Sequence, residues 1–360
     1  MTTTQHTAVD PDAAAAFAER LFGTYTQGLL TLMIDLAHRT GLLDALAAGP
    51  GTSGVLAERA GLSERYVREC LGALTTGRIV DYDSGTRQYA LPPERAVALS
   101  GEGALNLAPF SRFVAALSKT LDEVVSAFRD GSGLPYERFR PAFTDLMDGA
   151  SRGFFDGQLI DGVLPLTGEL PGRLAEGIRV ADIGCGSGHS TNLLAKAFPR
   201  SVFVGYHIAA DALDRARAEA TGYGLSNVSF QQLDVTTLPP EPPLDAVFAF
   251  DAIHDQVDPV GVLDRIHGAL RPGGVFVMFD IKASSRLEDN LANPMAALLY
   301  SISTLHCLTV SLAEGGAGLG AVWGEELARR LLADAGFVDV EVHDVPDDPL
   351  DSVYVARRPG

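Results

Sequence analysis

The run Val180-Ala181-Asp182-Ile183-Gly184-Cys185-Gly186-Ser187-Gly188-His189 decides the fold. An apolar strand carrying one acid turns through three glycines at alternate positions and opens a helix at Ser190-Thr191. Glycine permits the tight turn and lets a ligand touch the backbone. The helix start offers free N–H groups to an anion. A dinucleotide turn needs G-x-G-x-x-G, but His189 stands three positions after Gly186, which disfavours nicotinamide and flavin. The D-x-G-x-G-x-G spacing suits a zwitterion, such as an amino acid joined to a nucleoside. Asp182 would face the ammonium, and the loop amides the carboxylate.

Outward from this loop, short apolar runs alternate with helical ones. Arg179–Ile183, Ser201–Tyr206, Val228–Gln232, Ala246–Phe250 and Val275–Asp280 read as strands. Thr191–Ala197, Ala212–Ala220 and Pro259–Leu270 read as helices between them. This is the doubly wound α/β pattern with a parallel sheet. A helix, Gly324–Ala335, and two alternating runs, 336–342 and 352–356, close the chain as a strand pair at the sheet edge. The character of the chain changes after Pro171-Gly172, which places the domain boundary near residue 170.

Upstream, residues 12–47 show apolar residues at helical spacing, broken at Gly41. Residues 54–60 and 64–74 read as helix, turn and helix, followed by two short strands around Ser84-Gly85. That is the winged-helix pattern. Residues 1–100 carry 8 arginines, no lysine and 11 acids, and the whole chain of 360 residues carries a formal charge of −18. Gripping a phosphate backbone needs a basic face, so no nucleic-acid partner is expected. The apolar helices at 12–47 exceed what one winged helix can bury, which favours a homodimer through this domain. The expected layout is 1–100 for that domain, 101–170 for a helical connector and 171–360 for the α/β domain. Within the connector, Phe154, Phe155, Leu159 and Val163 form one apolar stripe, read as core.

Cys70, Cys185 and Cys307 are odd in number and far apart, which excludes a disulfide framework or a zinc cage and points to a reducing cytoplasm. The start, Met1–Pro11, is polar and holds no apolar signal core. Asn290–Ala313 lacks charge apart from histidine, but its serines, threonines and His306 read as a buried helix, with no membrane span.

With these motifs in view, residues 172–356 resemble a class I S-adenosylmethionine (SAM)-dependent methyltransferase. The agreement extends to Leu233-Asp234-Val235, Leu244-Asp245-Ala246-Val247, Leu270-Arg271-Pro272-Gly273-Gly274 and Ala335-Gly336-Phe337. The whole chain resembles the two-domain, winged-helix methyltransferases of small molecules. The resemblance implies a Rossmann-like seven-stranded sheet with SAM as cofactor. It implies cofactor contacts from Asp182, Gly184, Cys185, Gly186, Ser187 and Gly188 of the loop. It adds His207 and Ile208 after the second strand, Asp234 and Val235 after the third, and Phe250 and Asp251 after the fourth. One position departs: the second strand should end in an acid that binds the ribose hydroxyls, and here stands His207. Losing one charge-assisted bond costs about 1.5–3 kcal/mol, and Asp211, one turn on, is the nearest compensating acid.

His254-Asp255 resembles the His-Asp pair with which such enzymes deprotonate a hydroxyl, and a histidine near neutrality suits that task. Metal-dependent catechol enzymes use an acid after the fourth strand and an Asp-Asn pair after the fifth. Asp251 and Asp280 fall near two of those places, but Ile281 follows Asp280, so no metal is expected. The long insertion 283–323 is expected to be a lid over the acceptor pocket, with His306 and Cys307 packed inside it. The function so implied is methyl transfer from SAM to a small molecule, at oxygen, with His254 as base. Two alternatives stay open: a non-methylating reaction on the same fold, suggested by His207, and a SAM-responsive winged-helix regulator.

Overall fold

A computed structural model describes residues 9–101, 105–346 and 348–360; the polar start, 1–8, lies outside them. The chain divides into two compact units, one up to Ala115 and one from Ala116. The segment expected as a connector, 101–170, falls across that division.

In the first unit, Pro11–Arg39 is one continuous helix of 29 residues, running through Gly23 and Gly28. Asp10 caps it by accepting the amides of Asp12 and Ala13, and Gly41, at φ +73°, turns the chain out of it. Helices Leu42–Ala47, Ser53–Ala60 and Glu64–Thr76 follow. Strands β1 (Asp81–Asp83) and β2 (Gln88–Ala90) pair antiparallel as the wing. Leu30, Leu42, Leu46, Leu56, Leu71 and Leu74 form the core of this unit. Each such side chain contributes about 1.5–3 kcal/mol by leaving water. Phe17, Phe22, Tyr25 and Leu29 of the long helix are exposed, Phe22 by 71%.

The second unit is built on one seven-stranded sheet. Its strands are β3 (Arg179–Ile183), β4 (Val202–His207), β5 (Val228–Gln232), β6 (Leu244–Phe250), β7 (Leu270–Ile281), β8 (Val338–Asp344) and β9 (Asp351–Arg357). They lie in the order β5-β4-β3-β6-β7-β9-β8. The first five are parallel, and β9 runs antiparallel to both β7 and β8. From β3 the chain steps outward to β4 and β5, then returns to lay β6 on the other side of β3. This reversal opens a crevice above the carboxyl ends of β3 and β6, where such sheets bind their ligands.

Two cores cover the faces of the sheet. One gathers Ile183, Val247, Ala249, Ile266, Phe276 and Trp323. The other gathers Val180, Phe203, Phe248, Val277 and Phe279 with the stripe Phe155, Leu159 and Val163, against which Phe154 packs. The last strand departs from expectation. The run 352–356 reads as alternating, yet β9 is buried on both faces over Asp351–Ala356. The reason is its place between β7 and β8; of this last pair, β8 alone lies at an edge.

The stretch Ala296–Ala313 is long and apolar enough to cross a membrane by length and composition. It is broken at His306 (φ −138°, ψ −77°) into helices Ala296–Leu305 and Cys307–Ala313.

Candidate functional site

The loop after β3 is shaped by its glycines. Gly184, Gly186 and Gly188 all have positive φ, at 73°, 52° and 74°, a region costly for other residues. A Cβ on Gly184 would lie 2.6 Å from the Cβ of Ala252, whereas a Cβ on Gly186 would meet open space. The amides of Gly184 and Cys185 donate to the Tyr206 carbonyl, and that of Gly188 to the Cys185 carbonyl. The amides of Gly186 and Ser187 take no part in the described backbone bonds outside helices and strands, which leaves them to an anion.

Beneath the loop, Asp182 is buried. One oxygen accepts the Ser190 and Thr191 hydroxyls at 3.1 and 2.5 Å, and Oδ1 has no hydrogen-bond partner. Burial, opposed by these two hydroxyls, pushes its pKa up to about 7. Cys185 is buried against Leu213, Ala216 and Phe230, and burial drives its thiol well above the ordinary range. The Ser187 hydroxyl donates to Asp148 on helix Ala142–Gln158. Asp148 also receives Arg152, at 3.0 Å.

His207 ends β4 beside the loop. Its Nε2 is buried without a hydrogen-bond partner, and the Tyr136 ring stands edge-on at 6.3 Å. Burial and then the Arg140 guanidinium lower its pKa to about 4, so the ring is neutral and offers one donor and one acceptor. Asp211, the nearest compensating acid, is paired with Arg140. The carbonyl of Ile208 accepts the Gln232 amide. Asp234 Oδ1 accepts the amide and hydroxyl of Thr236 at 2.9 and 2.7 Å, and Val235 is core. The Phe250 ring packs against Phe155 at 5.2 Å and Phe279 at 6.0 Å.

Past β6 the chain turns sharply. Asp251 has φ +48°, unusual for a residue with a side chain, and its amide donates to the Phe279 carbonyl. The turn aims His254 down at the end of β7. His254 Nδ1–H donates to Asp280 Oδ1 at 2.7 Å, and both residues are buried, Asp280 completely. That oxygen also accepts the Trp323 indole N–H at 3.0 Å and the Ile281 amide at 2.9 Å. Asp255, the expected partner, lies 3.4 Å from the other ring nitrogen, Nε2, longer than a hydrogen bond. Burial opposes charge on His254, but Asp280 and then Asp255 outweigh it and hold its pKa well above 6.5.

Sequence reasoning therefore missed the principal partner of His254. The Asp280 carboxylate was visible at the end of a strand. What hides the pairing is the 26-residue separation, closed only by the β6–β7 register that sets Phe250 opposite Phe279.

Two more acids crowd this corner. Asp251 is raised to about 7 by burial and then by Asp280. Asp351 is raised well above the carboxylate range by burial and then by Asp251. Close carboxylates in a dry site cannot all ionise, so this corner retains protons near neutrality. Asp251, His254 and Asp280 also bring potential ligand atoms within 4.8 Å of one another, as do His254, Asp255 and Cys307. Burial pushes the Cys307 thiol up to about 12, so it is no nucleophile at neutral pH.

The loop fits a SAM-like zwitterion on three counts: open space over Gly186, two uncommitted amides and the orphaned oxygen of Asp182. His207 fits a ribose hydroxyl through one neutral hydrogen bond.

Residues 174–336 match the family described as a methyltransferase domain. Residues 28–101 match the Rv2258c-like winged helix-turn-helix domain. Among curated proteins, the trans-aconitate 2-methyltransferase of Methylobacterium nodulans is 33% identical over 130 residues, 36% of this chain and 46% of that protein. The chain thus spans about half the length of the curated relatives it matches. Among solved structures, a mitomycin 7-O-methyltransferase superposes with a TM-score of 0.73 at 22% identity, over 97% of this chain and 100% of the other. Human N-acetylserotonin methyltransferase in complex with SAM gives 0.64 at 17% identity, over 100% of both. At such identities these two likenesses establish the fold. With both domain matches beside them, the chain joins an N-terminal winged helix-turn-helix domain to a methyltransferase domain of the SAM-dependent fold.

Proposed function

We propose that this protein transfers a methyl group from SAM to an oxygen of a small molecule, with His254 as general base and without a metal. The carrying observation is the His254–Asp280 bond at the carboxyl ends of β6 and β7, beside the glycine loop. The residues that would hold the cofactor are Asp182 and the loop 184–188, His207 and Ile208, Asp234 and Val235, and Phe250 and Asp251. SAM supplies an electrophilic methyl on a sulfonium.

The chain's own part is positioning and proton handling. Asp280 accepts a hydrogen bond from Nδ1–H and so fixes the ring, leaving Nε2 to receive the hydroxyl proton of the acceptor. The nearby carboxylates stabilise the imidazolium that results. Because they raise the pKa of His254, the reactive neutral ring forms only as pH rises through a value above 6.5. The metal-free reading is supported by the bonds of Asp280, one oxygen of which serves three N–H donors. The following residue, Ile281, has no ligand atom. An oxygen acceptor also agrees with the likeness in fold to the mitomycin 7-O-methyltransferase.

The winged-helix unit serves, in this reading, as the contact between two copies of the chain. The apolar residues exposed on Pro11–Arg39 support it. On the helix Glu64–Thr76, Arg65 pairs with Glu69, and Arg68 lies 3.4 Å from Glu64, which leaves little free positive charge for a phosphate backbone. Residues 283–323 act as the lid. The three free cysteines fit a reducing cytoplasm.

The test is His254→Ala, with methyl transfer from labelled SAM to a panel of phenols and SAM affinity measured on the same protein. Turnover should fall at least about 100-fold, the usual share of a general base, with SAM affinity retained. Unchanged turnover removes the base from the mechanism.

A further inference from the structure

His306 is at the elbow between the helices Ala296–Leu305 and Cys307–Ala313. It is 1% exposed, yet neither ring nitrogen has a hydrogen-bond partner. Buried polar atoms are nearly always satisfied, because leaving them bare is costly. Such a ring has both nitrogens free to hydrogen-bond a group that arrives later.

Its surroundings fix its orientation. The ring stacks on Phe143 with centroids 3.6 Å apart and planes 13° from parallel. Phe139 and Tyr136 stand edge-on at 4.7 and 6.2 Å. Backbone and hydroxyl bonds tie the elbow down on two sides. Thr309 accepts the Leu134 amide at 3.0 Å, and Ser311 donates its hydroxyl to the Gln256 carbonyl at 2.9 Å. Burial lowers the pKa of His306 to about 4, so the ring is neutral and carries one donor and one acceptor.

What the ring faces is the carboxylate of Asp255. His306 Nδ1 lies 4.0 Å from Oδ2, and His254 Nε2 lies 3.4 Å from Oδ1. Both gaps exceed a hydrogen bond, and Oδ1 of Asp255 also lacks a partner. A carboxylate therefore sits between two imidazoles, one from the loop after β6 and one from the lid, with neither contact closed. Polar groups of a ligand can complete both contacts at once, and Tyr136, Phe139 and Phe143 make the wall beside them aromatic.

We propose that His306 is a second acceptor-binding residue, which hydrogen-bonds an oxygen substituent adjacent to the one that is methylated on an aromatic acceptor. This rests on the methyltransferase reading above and adds the acceptor class. His306 selects for two neighbouring oxygens and takes no proton from the reacting one.

The test uses the full-length protein saturated with S-adenosylhomocysteine (SAH) and two probes, 2,3-dihydroxynaphthalene and 2-naphthol, titrated by calorimetry. The wild type should bind the diol at least about 10-fold more tightly, the worth of one buried hydrogen bond. His306→Phe keeps a flat ring on Phe143 and deletes both nitrogens; the ratio should fall to about 2-fold or less, with SAH affinity kept. A second readout needs no variant: in the ¹⁵N-histidine spectrum of the wild type, the diol should move the His306 ring nitrogens and 2-naphthol should not. Equal affinities, no binding of either probe, a ratio unchanged in His306→Phe or an unmoved His306 signal each overturn the proposal. Failure of the wild type to bind SAH refutes the methyltransferase reading and this one together. Retained SAH binding without discrimination refutes this one alone.

Discussion

Replacing Asp280 by Asn leaves shape and volume nearly unchanged and removes one buried charge. In the wild type that carboxylate accepts a hydrogen bond from His254 Nδ1–H at 2.7 Å, and Asp280 is wholly shielded from solvent. A charge-assisted bond of this kind is worth about 1.5–3 kcal/mol. At about 1.36 kcal/mol per pKa unit, losing it should lower the pKa of His254 by about 1–2 units. The assay is titration of the His254 ring C–H by NMR, assigned by its disappearance in His254→Gln. It needs no acceptor. The wild-type ring should hold its proton past pH 6.5, and Asp280→Asn should titrate lower. Stability should move with it. A raised folded-state pKa stabilises fully below the unfolded value of about 6.5, and the benefit disappears as pH rises through the folded value. The variant should therefore lose more stability at pH 6 than at pH 9. An unmoved midpoint would show that Asp280 does not control the ring, and the proposed proton path would be wrong.

His207→Asp restores an acid that can accept from both ribose hydroxyls, and SAM affinity should rise about 10- to 100-fold by calorimetry; no gain would remove His207 from the ribose site. Asp251→Asn, which tolerates the left-handed backbone at φ +48°, removes a group whose folded pKa is about 7 against an ordinary 3.8. The wild type loses stability as pH climbs across that window, so the difference in Tm between pH 5 and pH 8.5 should narrow in the variant; an equal difference would contradict the buried, protonated assignment. Phe22→Glu with Tyr25→Glu puts two charges on the exposed apolar side of Pro11–Arg39 and should shift sedimentation toward the monomer. An unchanged profile would place any self-association elsewhere.

The parts of the fold governed by local chemistry were legible in the sequence. Glycines at 184, 186 and 188 could only serve a turn that needs positive φ, and the five parallel strands announced themselves as apolar runs. β9 was harder to read, because its burial depends on which strands lie beside it. The site divides the same way. His254 stands out from its neighbours in sequence, and its nearest acid in sequence is Asp255. Its nearest acid in space is Asp280, brought in by a parallel register that no local pattern encodes. His306 was read as packing, which its aromatic neighbours bear out; its two bare nitrogens appear only once the elbow is folded.

The position of β9 also constrains the order of assembly. β7 is made well before Asp351–Arg357, and until then it presents Val275–Ile281 as an open edge of hydrogen-bonding groups. A chain emerging from the ribosome folds from its earlier residues onward, so the five parallel strands can form while the sixth place in the sheet stands vacant. The inserted segment and the helix Glu325–Asp334 must then wait beside an incomplete sheet. Arrest of synthesis before residue 351 would leave a nearly finished domain with its stickiest edge exposed. Its solubility at that moment rests on how quickly the last strand slides in between β7 and β8.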